Sequence, residues 1–186
     1  VSACDKNTTW HHQHNPVIRE LFRRHGRELA FAGCVLTNAP VRLGEKQASA
    51  DAAVRLATEL RVAGAVVSKE GFGNPDADLM MLVRGLEAAG IRTVALTDEF
   101  AGAEGASQSI ADTTPEADAL VSTGNANARI VLPAMERTLG PIAQVLRLAG
   151  ASAESLRADG GVAVELQTLL GATNELGAGR LTCRGR

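Results

Sequence analysis

Short aliphatic runs that each end in a polar, glycine-rich stretch recur along this chain, separated by segments with helical patterning. This alternation narrows the fold more than any other feature. Residues 65–68 form one such run and lead into Glu70-Gly71-Phe72-Gly73-Asn74-Pro75-Asp76. Helical spacing then holds over 76–89 and closes at Gly90. A second run, 93–97, ends at Asp98-Glu99 and opens a long Gly/Ala/Ser-rich loop over 100–114. A third, 119–122, leads into Thr123-Gly124-Asn125-Ala126-Asn127. Polar residues gathered after successive strands are the mark of an open parallel α/β sheet, in which ligands bind outside the carboxyl ends of the strands. The expected fold is therefore α/β, with an open, mostly parallel sheet and helices on both faces in a Rossmann-like three-layer arrangement.

The flanking segments fit the same scheme. Pro16 opens a helical pattern through Val17, Ile18, Leu21 and Phe22 that closes near Gly26, with Asn15 placed to cap it. Residues 29–37 read as a buried strand, and 45–63 as a helix ending at Gly64 in a left-handed cap. Farther on, a helix over 141–148 and a strand over 162–166 are expected, and 171–186 reads as irregular. The chain has 186 residues and is 45% hydrophobic but only 3% aromatic, with no tyrosine, so one aliphatic core must carry the packing. Residues 16–186 are expected to form a single α/β domain, preceded by a reactive segment over 1–15.

Charge and cysteine usage exclude several classes. A formal net charge of -2 offers no general attraction to nucleic acid, and no apolar run reaches the roughly 18 residues of a membrane span. The expectation is a soluble, cytoplasmic protein. Three cysteines, Cys4, Cys34 and Cys183, are widely spaced and lack CxxC pairing, which argues against a disulfide framework or a zinc site. Cys34, inside an aliphatic run, reads as an inert core thiol. The chain starts Val1-Ser2-Ala3 without an initiator methionine, as expected of a piece cut from a longer protein.

The segment 4–15 is chemically the densest. It combines a thiol, an acid, an amine, two hydroxyls, an indole and three imidazoles. His11, His12 and His14 lack the i, i+4 spacing of helical zinc sites, so no metal is expected. A solvated tail would account for the polar residues, but not for Trp10, the only tryptophan, which suggests a segment packed against something. Beside Lys6 and the imidazoles, the Cys4 thiol could ionise readily and act as a nucleophile. The two glycines at 71 and 73 precede a helix, yet the Walker lysine and a third glycine are missing, so no nucleotide is expected. A tight turn with an Asp76 cap explains most of that loop, but leaves Glu70 and Phe72 unexplained.

Taken together, CDKNTTWHHQHNPVI (4–18), EGFGNPDADLMM (70–81), TDEFAGAEGASQSIAD (97–112), STGNAN (122–127), LPAMERTLG and GATNELG resemble the component B proprotein of glycine, sarcosine and betaine reductases, in its C-terminal, pyruvoyl-bearing part. The D-proline reductase proprotein is the nearest competitor. The likeness covers almost the whole chain and rests on several motifs in one order. It implies cleavage on the amino side of Cys4, which becomes an N-terminal pyruvoyl group. The thiolate attacks the Ala3 carbonyl, the thioester eliminates, and the resulting dehydroalanine hydrolyses to a ketone, with no external cofactor.

Such a carbonyl can condense with the amine of glycine or sarcosine and draw electrons from the C–N bond of the substrate. Betaine, a quaternary amine, would need another activation. The resemblance places Lys6, Asn7, Thr8, Thr9 and His11 beside the reactive centre. It places Glu70, Asn74, Asp76, Asp98, Glu99, Ser107, Gln108, Asn125 and Asn127 on the loops around the substrate. Implied partners are the upstream fragment of the same proprotein, a selenocysteine- or cysteine-containing component B subunit, the component A selenoprotein carrier and a small amino acid. His12 and His14 stand where family members carry amides, which leaves the substrate open. Two other readings predict different behaviour. A cleavage-incompetent homologue acting as a ligand-binding or scaffolding subunit would keep the Cys4 thiol, and a nucleotide-binding α/β domain would bind dinucleotides or ATP.

Overall fold

The structure is a computed structural model, and it describes residues 15–69, 72–137 and 155–167. The segment 1–14 with Cys4 and Trp10, Glu70, the helix expected over 141–148, and the tail expected to be irregular, with Cys183, lie outside the described residues.

Among the described residues, three helices and five strands follow in the order α1 (Pro16–Arg24), α2 (Leu43–Glu59), β1 (Gly64–Ser68), α3 (Asn74–Ala88), β2 (Arg92–Glu99), β3 (Leu120–Asn125), β4 (Arg129–Leu132) and β5 (Val162–Glu165). The first three strands form a parallel sheet in the order β1-β2-β3, with Val66 level with Val94 and Leu96 level with Val121. β4 and β5 form a separate antiparallel pair. The open, mostly parallel α/β sheet expected from the alternation is present.

Local chemistry accounts for the helix ends. The Asn15 side-chain oxygen accepts hydrogen bonds from the amides of Val17 (3.0 Å) and Ile18 (3.1 Å), so Asn15-Pro16 starts α1 as expected. α3 begins two residues before the expected Asp76 and stops at Gly90, whose φ of 78° is the left-handed geometry of a helix terminator. α2 is shorter than expected. It ends at Glu59, and Arg61, not Gly64, takes the left-handed turn (φ 52°); Gly64 instead opens β1. Gly64 is the right residue there, because a Cβ would lie 3.2 Å from the Arg92 carbonyl.

The core forms where α3 lies on β1 and β2, and α2 packs across α3. Leu79, Val83 and Leu86 from α3 meet Val67 and Ala95 from the sheet and Ala57 from α2, so the aliphatic composition becomes one cluster. Gly85 lets the helices approach, since a Cβ at that position would sit 2.8 Å from Val54 Cγ2.

Residues 29–37 depart from expectation. They form no strand, and 32–39 are exposed, so Cys34 is an exposed thiol and not a core one. The physical reason is that a strand requires a partner, and no hydrogen-bonded strand neighbour is in place for this run among the described residues. The segment instead faces β1 across a cleft of about 1190 Å³.

Candidate functional site

β1, β2 and β3 run parallel, so their carboxyl ends share one edge of the sheet, and several of the polar residues singled out above converge there. A buried ion cluster forms the inner part of this edge. Lys69 follows β1 directly and is only 8% exposed; its ammonium lies 2.6 Å from Asp76 Oδ1 and 3.6 Å from Asp98 Oδ1. Asp76, in the first turn of α3, and Asp98, near the end of β2, are fully buried.

The second Asp76 oxygen accepts hydrogen bonds from the amides of Gly73 (3.2 Å) and Ala111 (2.7 Å). One carboxylate therefore ties together the turn before α3, the loop after β2 and, through Lys69, the end of β1. Asp98 differs: its two oxygens are buried with no well-aligned hydrogen-bond donor on them. Burial pushes its carboxyl from 3.8 up to about 7, against the pull of the Lys69 cation and with a further push from the Asp76 charge. A carboxyl that changes protonation near neutrality, beside a cation at a strand end, has the properties of an acid–base group.

The outer part of the edge is built by the two asparagines. β3 carries one extra residue relative to β2 between the Thr97 and Glu99 levels, and Gly124 takes a φ of 111° there. Beyond this irregularity, Asn125 Oδ1 accepts from the amides of Ala101 and Asn127, both at 3.1 Å, while its Nδ2 donates to the Gly102 carbonyl at 2.7 Å. Asn127 Oδ1 accepts from the Gly102 amide (3.1 Å), and its Nδ2 donates to Glu165 Oε2 (3.1 Å). The two amide side chains thus clamp the start of the loop after β2. Glu99 accepts a hydrogen bond from the Ser122 hydroxyl.

Phe72, which the turn alone left unexplained, packs its ring 5.1 Å from that of Phe100 and so joins the loops after β1 and β2. Ser107 donates its amide to the Ala101 carbonyl (2.9 Å), and Gln108 donates to the Ile110 carbonyl (2.8 Å); both are exposed on the rim. Asn74 stands on the opposite side, donating from Nδ2 to the Ala39 carbonyl (3.3 Å), and its own carbonyl accepts from Lys46 (2.9 Å).

Asp76 and Asp98 are therefore brought together, as are Glu99, Asn125 and Asn127, while Ser107 and Gln108 remain at the periphery. Cys4, Lys6, Asn7, Thr8, Thr9 and His11, with Glu70, lie outside the described residues. Lys69 is the residue that the sequence reading missed. Its signal was a charged side chain placed directly after an aliphatic strand and directly before the polar loop. Among the described residues no group of three or more His, Cys, Asp or Glu is arranged to hold a metal ion.

A model of the glycine/sarcosine/betaine reductase component B subunits matches residues 1–184. The chain belongs to this family. It is 50% identical over 185 residues to the glycine reductase complex component B subunits alpha and beta of Peptoclostridium acidaminophilum, covering 100% of this chain and 43% of that relative. It is 42% identical over 184 residues to the sarcosine reductase complex component B subunit alpha of the same organism, covering 99% of this chain and 43% of the relative. With that organism's betaine reductase complex component B subunit alpha it shares 38% over 173 residues, covering 89% of this chain and 39% of the relative. The chain thus spans less than half the length of these curated relatives. No solved structure matches it.

For this component B chain, the match takes in the segment around Cys4 as well as the strand-end loops. The residues outside the described part therefore belong to the same family pattern as the site. No described helix is long and apolar enough to cross a membrane.

Proposed function

We propose that this chain is the substrate-binding, pyruvoyl-dependent part of a reductase that cleaves the C–N bond of glycine or an N-methylated relative, with Cys4 as the pyruvoyl precursor. One observation carries the reading: the family match covers residues 1–184 and so spans both the Cys4 segment and the polar sheet edge. Identity is higher to the glycine reductase relative than to the sarcosine and betaine ones, which favours a primary amine as substrate.

A carbonyl at position 4 would supply an electron sink for the substrate amine. Around it, Lys6, Asn7, Thr8, Thr9 and His11 orient the reacting groups, and Glu70, Asn74, Glu99, Ser107 and Gln108 line the approach. Asn125 and Asn127 hold the loop after β2 in place. Asp98, ionising near neutrality beside Lys69, takes up or releases a proton as an amine binds or leaves. Asp76 fixes both neighbours. The displacing selenolate or thiolate comes from another component B subunit, and the product passes to the component A selenoprotein carrier. The rest of the proprotein completes the assembly in the cytoplasm.

Mass spectrometry of the full-length gene product tests this. The expected result is a break before Cys4, loss of the thiol sulfur, and a downstream piece that reacts with hydrazines. Cys4→Ala should abolish all three. An intact Cys4 thiol in a native complex that still binds amino acid rejects the reading in favour of a scaffolding homologue.

A further inference from the structure

Residues 29–37 are the largest feature that the proposed chemistry leaves unused. The run Leu29-Ala30-Phe31-Ala32-Gly33-Cys34-Val35-Leu36-Thr37 carries no charged side chain, the composition of a strand buried on both faces of a parallel sheet. Yet Leu36 is 90% exposed, and no backbone hydrogen bond joins 32–37 to a described residue. Exposure of that much aliphatic surface and unpaired backbone needs an explanation.

The space opposite this segment is bordered by β1. β1 is an outer strand of the described sheet, and every one of its residues lines the cleft of about 1190 Å³. The cleft thus takes in the whole of β1 and reaches on to Val94 and Leu96 of β2 and to Asp118 and Ala119 before β3. Val66 and Val94 border it from one face of the sheet, Ala57 and Leu60 from the α2 side, and Cys34 and Val35 from across the gap.

Connectivity and anchoring select the occupant. The order is 29–37, then the 17 residues of α2, then β1, which is the strand–helix–strand arrangement that places two strands side by side and parallel, with a right-handed crossover. The carboxyl end of the segment is already held at the correct edge. The Ala39 carbonyl accepts from Asn74 Nδ2 at 3.3 Å in the first turn of α3, and the Asn38 carbonyl accepts from Ser49 Oγ at 3.4 Å in α2. The amino-terminal end is tied to α1, through the Phe31 amide on His25 Nδ1 (3.0 Å) and the Phe31 ring against Phe22 (4.8 Å), so residues 32–37 are the part that has to swing between the two anchors.

We propose that residues 29–37 are a strap that closes onto the edge of β1 as a fourth parallel strand. Closure fills the cleft, buries Cys34 and turns the chain at Thr37-Asn38 into a fourth post-strand loop beside Asn74. The substrate edge of the sheet then gains a wall on the side opposite Asn125 and Asn127. Strand closure is independent of the carbonyl chemistry proposed above, and the two fail separately.

Hydrogen exchange and thiol trapping on the full-length gene product in its native complex test the strap. The amides of 32–37 should exchange at least about 100-fold more slowly than in an unstructured peptide, in the range of β2. Neighbouring strands bring Cα atoms to about 5 Å, within disulfide reach, so a Val66→Cys or Val67→Cys variant treated with oxidised glutathione should couple to Cys34. Peptide mapping separates that bond from any made by Cys4 or Cys183. Free-peptide exchange at 32–37 while β2 stays protected overturns the proposal. So does a bifunctional thiol cross-linker that joins Cys34 only to another polypeptide or a second copy. If neither cysteine variant folds, the exchange measurement on the unsubstituted protein decides alone.

Discussion

Replacing Asp98 with asparagine removes the one described carboxyl that burial holds near neutrality, and the consequence for stability follows from its ionisation. In the folded protein the group ionises at about 7, against 3.8 in an open chain. Between those values the folded state keeps a proton that the unfolded chain has lost, so stability falls as pH rises, by about 1.4 kcal/mol for each pH unit. Below the lower value the group contributes no pH dependence, and above the upper one its full cost, about 4 kcal/mol, is present. That is a large share of the roughly 5–15 kcal/mol that holds a domain together. Asparagine has nearly the shape of a protonated aspartate but cannot ionise. Asp98→Asn should therefore exceed the parent protein by only about 1 kcal/mol near pH 4.5 and by about 4 kcal/mol at pH 8. Urea denaturation followed by far-ultraviolet circular dichroism at the two pH values gives the comparison. Parallel stability profiles for the two proteins from pH 4.5 to 8, or a parent that gains stability with rising pH through Asp98, would refute the reasoning.

Two further substitutions test the same architecture. Lys69→Met leaves Asp76 and Asp98 buried without their cation and should cost about 3–5 kcal/mol in the same denaturation assay at pH 8; a loss under about 1 kcal/mol would mean that the lysine does not hold the cluster. Gly85→Ala places a methyl 2.8 Å from Val54 Cγ2 at the α2–α3 contact, so the protein should lose about 1–3 kcal/mol although alanine favours a helix by about 1 kcal/mol; adding Val54→Ala should relieve the clash, and independent, additive losses would show that the helices do not touch there.

The sequence showed most where a structural signal was local. Asn15 before Pro16 predicted the start of α1 because a capping side chain and a ring-fixed φ act within three residues. Gly90 closed α3 for an equally local reason. Extents that depend on a distant partner were harder to read. β2 runs on through Asp98 and Glu99, and β3 through Asn125, because each continues as long as the other pairs with it. β4 had no signal of its own, since residues 129–132 become a strand only by pairing with 162–165 far along the chain. Glycine is the usual occupant of a left-handed turn, which points to Gly64, whereas the turn falls at Arg61 and the strand's approach to Arg92 requires the glycine.

The candidate site divides along the same line. Rules about strand ends placed Asp76, Asp98, Glu99, Asn125 and Asn127 on one edge without showing that they do different work. Asn125 and Asn127 spend their side chains on loop backbone and on Glu165, so their contribution to a ligand is the position of the loop. Asp98 has no such hydrogen bonds and carries the perturbed ionisation. Lys69 separates the two behaviours. Its proximity to Asp76 and Asp98 depends on β1, α3 and β2 packing together, and one charged residue after an aliphatic run does not reveal that packing in advance. Residues 29–37 pose the converse case: their strand-like composition is plain in the sequence, and what remains to be supplied is closure of the strap onto β1.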